Sequence, residues 1–100
     1  MIPFRGNIYG TVESQPFDLP MSLDSYTLSN RHGAAVGYGV YLIKGARNVS
    51  ISAVGTTISS TGLITDEIKR VVEVGEVVRL VTEGSIDYDF EFSNIQPPNI

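Results

Sequence analysis

Residues 86–93 read Ile-Asp-Tyr-Asp-Phe-Glu-Phe-Ser, a strict alternation of apolar and polar side chains. Successive side chains of a β-strand point to opposite faces, so Ile86, Tyr88, Phe90 and Phe92 share one face. Asp87, Asp89, Glu91 and Ser93 share the other. A strand of this kind lays one face on a core and turns the other to water or to a partner. A helix would scatter these aromatics around its axis, so the pattern fixes an antiparallel β class. Tyr88, Phe90 and Phe92 are expected to be mostly buried.

Two further strands precede this one. Residues 68–74 are dense in β-branched side chains, and Gly75-Glu76 turns the chain into residues 77–82. Glu83-Gly84-Ser85 then turns it into the last strand. Within residues 77–82, Val78 and Leu80 are expected inside, with Val77, Arg79 and Val81 on the opposite face. The run Val71, Val72, Val74, Val77, Val78, Val81 is too apolar on both faces for a sheet wetted on one side. Either these strands are central in a sandwich or a partner covers their second face. Lys69, Arg70, Glu73, Glu76 and Arg79 interrupt the run as charged gatekeepers would.

Upstream, residues 7–13 alternate and read as a first strand, and residues 1–6 read as an arm held extended by Pro3. Pro16 and Pro20 make residues 14–21 a loop or edge segment. Strands are expected over residues 22–29, over the long apolar run 34–43 and over 49–54, with turns at Asn30-Arg31-His32-Gly33, at residues 44–48 and at Ser60-Thr61-Gly62. Gln96-Pro97-Pro98 ends pairing and leaves a tail over residues 96–100. The whole chain, residues 1–100, thus reads as one antiparallel β-sandwich of about eight short strands.

The chain carries 7 Lys plus Arg against 11 Asp plus Glu, a formal net charge of −4. Phosphate binding needs a basic stripe, so nucleic acid is not expected as a partner. No secretory signal is visible at Met1-Ile2-Pro3-Phe4, and no apolar run reaches the ~18 residues of a membrane span. The absence of cysteine leaves no disulfide and no thiolate metal site.

Candidate chemistry is sparse. His32 is the one histidine and sits in a turn with Arg31 and Gly33, with no carboxylate or nucleophile assigned to it. Asp87, Asp89 and Glu91 project from one strand face. Rungs two residues apart stand ~7 Å from one another, too far to share one Ca²⁺ readily, so a solvated face paired with Lys69, Arg70 or Arg79 is the expectation. Gly37-Tyr38-Gly39 is a fragment of a dinucleotide fingerprint without the helix that would follow it, and Asn48-Val49-Ser50 is a glycosylation sequon. No enzyme, cofactor or metal site is expected. Tyr38 and Tyr41 differ by an odd number, so they lie on opposite faces of an unbulged strand.

The stretch Val72-Glu73-Val74-Gly75-Glu76-Val77-Val78-Arg79-Leu80, with Phe90-Glu91-Phe92-Ser93-Asn94-Ile95 behind it, resembles the closing strands of small jelly-roll proteins. The resemblance extends to two groups. One is the trimeric jelly rolls of the complement and tumour-necrosis-factor type. The other is bacteriophage virion accessory proteins such as head-decoration (cement) and fibre domains. A short chain without a collagen-like segment is closer to the second. The resemblance implies a jelly-roll, a virion protein made in the host cytoplasm, and a role as a decoration protein binding a capsid shell and itself, as a dimer or trimer. Candidate partner-binding residues are Ile2, Pro3, Phe4 and Arg5 in the arm, Tyr38 and Tyr41 in the sheet, and Pro97 and Pro98 in the tail. The alternative is a carbohydrate-binding module, with Tyr9, Tyr26, Tyr38 or Tyr41 as an exposed platform. A small hydrolase comes third, lacking an acid/base set.

Overall fold

A computed structural model describes residues 4–31, 33–52 and 56–95. Nine strands occupy these residues: β1 (Phe4–Ile8), β2 (Thr11–Glu13), β3 (Met21–Asn30), β4 (Val36–Lys44), β5 (Arg47–Ser50), β6 (Thr57–Ile58), β7 (Leu63–Val72), β8 (Val77–Thr82) and β9 (Ile86–Asn94). They form two antiparallel sheets. The first has the order β1-β9-β3-β7 and the second β2-β8-β4-β5, with the two-residue β6 attached to β4. β1 pairs β9, β2 pairs β8, β3 pairs β7 and β4 pairs β5, as in one long hairpin. Rolling that hairpin up brings β9 beside β3 and β8 beside β4. This is the jelly-roll arrangement of two facing sheets.

The expected single strand over residues 7–13 is two strands in different sheets. The alternation of Ile8, Gly10 and Val12 runs through the break and hides it. Gly10 takes φ +112°, a conformation glycine adopts freely, and the chain crosses between sheets there. The crossing is clamped by Thr82, whose backbone N–H donates to Gly10 O over 2.7 Å. The arm expected over residues 1–6 is corrected for its described part, residues 4–6, while residues 1–3 lie outside the described residues. Phe4 to Gly6 belong to β1, and Phe4 is buried against Phe90 at a ring separation of 4.9 Å.

The core lies between the sheets. Leu23, Tyr26 and Leu28 from β3 meet Val40 and Leu42 from β4 and Val78 and Leu80 from β8, with Ile86, Phe90, Ile58, Val36 and Val72 filling the rest. Each fully buried aliphatic side chain contributes about 1.5–3 kcal/mol. Val78 and Leu80 are inside, as their parity predicts, and Phe90 is buried, while Tyr88 and Phe92 are half-buried at the margin. The β3 parity switches midway: Met21 and Leu23 face in, then Tyr26 and Leu28. The register slips between Leu23 and Ser25, so Asp24 is an extra residue against β9. β7 inserts a compensating residue opposite, at Lys69, which takes φ +50°. The Asp24 carboxylate accepts a 2.7 Å bond from the Ser22 hydroxyl, and this bond, with lesser help from Ser93 and Lys69, holds its carboxyl below the usual range.

Candidate functional site

The two ends of the sandwich differ. At one end lie residues 14–20, the β4–β5 turn, residues 73–76 and the close of β9. A cleft of about 480 Å³ opens there, walled by Phe4 and Phe17, floored by Met21 and lipped by Leu19. Glu13, Ser14, Gln15, Asp18 and Asn94 give its rim polar groups.

The loop that shapes this cleft is built from its sequence. Pro16 and Pro20 restrict the backbone on either side of two large apolar residues. Ser14 ties one end of the loop to β8, donating its N–H to Val78 O and accepting the Val78 N–H on its hydroxyl, both at 2.9 Å. Phe17 ties the middle: its carbonyl accepts from Gly75 N–H at 3.1 Å, and its ring stands edge-on to Phe92 at 5.1 Å. The turn it meets is itself held. The buried Glu76 carboxylate accepts the Glu73 N–H over 2.7 Å. Leu19 is left pointing outward, 69% exposed. Val71, Val74 and Ile95, also exposed, belong to the same end of the molecule by strand register. Four of the six large exposed apolar side chains among the described residues therefore lie at the end that carries the cleft, whereas Tyr9 and Leu63 belong to the opposite end.

The sheet faces also differ. The outer face of the first sheet carries Ser25, Thr27, Ser29, Thr65, Glu67, Asp87, Asp89 and Glu91, and a Thr27–Thr65 hydroxyl pair at 3.1 Å bridges two of its strands. Asp87 is held by Arg31 and by the Asn7 amide at 2.9 Å, and Asp89 lies 4.0 Å from Arg5. These replace the expected partners Lys69, Arg70 and Arg79. The first two sit on β7, with β3 between them and β9, and Arg79 belongs to the other sheet. Among the described residues no group of three or more His, Asp or Glu side chains is gathered to hold a metal ion.

The outer face of the second sheet is more apolar over β4 and β8, with Thr11 and Glu13 on β2 and Asn48 and Ser50 on β5 flanking it. Ile43 pairs with Val77, Gly39 with Val81, and Tyr41 with Arg79, all half-buried except the covered Gly39. The Tyr41 ring lies back over Gly39: a Cβ there would stand 2.6 Å from the Tyr41 hydroxyl. Arg79 makes two 2.6 Å contacts to one Glu13 carboxylate oxygen.

Of the candidate partner-binding residues, the four that are described, Phe4, Arg5, Tyr38 and Tyr41, do not converge. Ile2, Pro3, Pro97 and Pro98 lie outside the described residues, as does His32. Phe4 is a core residue that also lines the cleft, and Arg5 is on the outer face of the first sheet. Tyr38 and Tyr41 occupy opposite faces as their spacing predicts. Tyr38 packs inward against the core and only Tyr41 faces out. The four-tyrosine platform is not formed, since Tyr26 is fully buried, Tyr38 packs on the core and Tyr9 sits in the β1–β2 turn. Sequence reasoning misses Phe17, Leu19 and Met21 as site residues. Their signal is two large apolar side chains stranded between prolines in a polar loop.

Comparisons with protein families, with curated proteins and with solved structures return no match.

Proposed function

We propose that this chain is a structural protein that docks end-on to a larger protein shell, as a virion decoration or accessory protein does, and performs no bond chemistry. One observation carries the reading: the exposed side chains of Leu19, Val71, Val74 and Ile95 lie at a single end of the sandwich, the end where the cleft opens, with Leu19 lining the cleft itself. Contiguous apolar surface rimmed by polar groups usually marks a protein interface. A rigid jelly-roll with a prepared end is suited to this role, because little of its backbone has to be ordered on docking. The cleft would receive an apolar side chain of the shell, with Gln15, Asp18 and Asn94 bonding the backbone around it.

The test is stoichiometric co-purification with virus particles from the producing culture. The native chain should be present at a fixed ratio to the shell subunit. Leu19→Asp and Val74→Asp should abolish incorporation, with the melting temperature of the isolated protein unchanged. A chain found free of every particle, or one incorporated equally well with both substitutions, would defeat the proposal. Saturable binding to glycans would replace it with the carbohydrate-binding reading.

A further inference from the structure

We infer that the outer face of the second sheet is the surface through which two copies of this chain associate, a partner within the assembly reading above. The two sheets bury their inner faces against each other, so their outer faces should both be polar if both met water. The first sheet obeys this over the middle of its outer face, with Ser, Thr, Asp and Glu there and the exposed Leu63 and Val71 only towards its two ends. The second does not: over β8 and β4 its outer face is made by Tyr41, Ile43, Val77 and Val81, with Arg79 the one charged side chain among them.

The charge pattern selects a second copy as the occupant. The chain as a whole carries −4, and on the outer face of the first sheet the carboxylates Glu67, Asp87, Asp89 and Glu91 outnumber Arg5 and Arg31, which pair with two of them. Two copies meeting there bring like charges together. On the second sheet the Glu13 carboxylate and the Arg79 guanidinium are adjacent on β2 and β8, directly opposite in register and balanced. This face meets itself without net repulsion. With a two-fold axis running along β8, Val77, Arg79 and Val81 all meet their own counterparts, and the two Arg79 side chains are flanked on either side by a Glu13, one from each copy. A two-fold contact requires such self-complementarity. Gly39 contributes by its lack of a side chain: the Tyr41 ring lies down over it, and the face stays low enough for another sheet to approach.

Sedimentation of the isolated protein tests this. At about 100 µM, where a micromolar contact is saturated, the native chain should have twice the chain mass. Ile43→Asp should halve that mass with the far-ultraviolet dichroism unchanged. Glu13→Arg and Arg79→Glu should each be monomeric alone, through like-charge repulsion, and should regain dimer mass when mixed in equal amounts. A monomeric native chain at that concentration would overturn the inference without any variant, and so would dimers that survive Ile43→Asp. Monomers that still join the particle would refute the dimer and leave the docking role standing. Dimers that join no particle would do the reverse.

Discussion

The Tyr26 hydroxyl donates to the Asp66 carboxylate across 2.7 Å, and the two residues are direct cross-strand partners on β3 and β7. Tyr26 is fully buried, so the bond spares the core an unpaired hydroxyl and gives Asp66, on the inward side of an edge strand, a fixed donor. Burial first, and the Asp66 bond second, push the ionisation of Tyr26 above its ordinary value, with Tyr38 adding to the effect.

A tyrosine whose pKa is higher folded than unfolded holds its proton more tightly in the native state. Its contribution is complete below the unfolded value of about 10 and is lost as the pH rises beyond it. Stability measured by urea unfolding should be insensitive to this group up to that point and fall above it. Tyr88, also raised by burial, adds to the fall. Tyr26→Phe should make the alkaline decline shallower. At neutral pH the same substitution should cost about 1–3 kcal/mol, because Asp66 loses its donor.

Phe90→Ala should cost about 3–5 kcal/mol in a denaturant titration. The ring contacts Phe4 at 4.9 Å and Tyr26 at 5.2 Å, so its loss opens a cavity among three aromatics on three adjacent strands. An unchanged midpoint would refute the inward assignment of Phe90.

Asn30→Asp should destabilise by more than the about 1–3 kcal/mol of one unsatisfied buried group. The two N–H hydrogens of the Asn30 amide are shared among the carbonyls of Ala34, Ile58 and Ser59 at 2.9–3.0 Å, and a carboxylate turns an acceptor on all three. Lowering the pH should restore part of the loss by protonating the new acid. A melting temperature independent of pH in the variant would show that these bonds carry no weight.

Lys69→Gly should stabilise by up to about 1 kcal/mol, since a non-glycine residue in the left-handed region costs roughly 1–2 kcal/mol and glycine returns part of that in chain entropy. Lys69→Val at the same φ of +50° should destabilise. If both substitutions lower the midpoint equally, the bulge is not where the strain lies.

What is legible in the chain depends on the distance over which its signals act. Local alternation places β9 and the inward face of β8, and turn chemistry places the connections around Gly62, Gly75 and Gly84. The β3 bulge is also written locally, since Met21, Leu23, Tyr26 and Leu28 change parity, but alternation read over residues 22–29 alone does not expose it. Phe4 is beyond local reasoning because its partner Phe90 lies at the other end of the chain. Gly10 misleads because Ile8 and Val12 keep a common parity across a crossing between sheets. The cleft needs the meeting of Phe17 with Gly75 and Phe92, three segments that no spacing in the sequence connects.

The position of β9 between β1 and β3 governs how this protein is made. The ribosome releases the chain from its amino end, so β1 emerges before β9 and Phe4 waits for a partner, Phe90, encoded 86 positions later (90 − 4). β3 and β7 can pair before then, but the middle of their sheet stays empty. Nascent chains therefore expose two unpaired strand edges until translation has passed Asn94, a liability for aggregation. Pairing at such long range also places refolding on the millisecond-to-second scale typical of β-sandwiches.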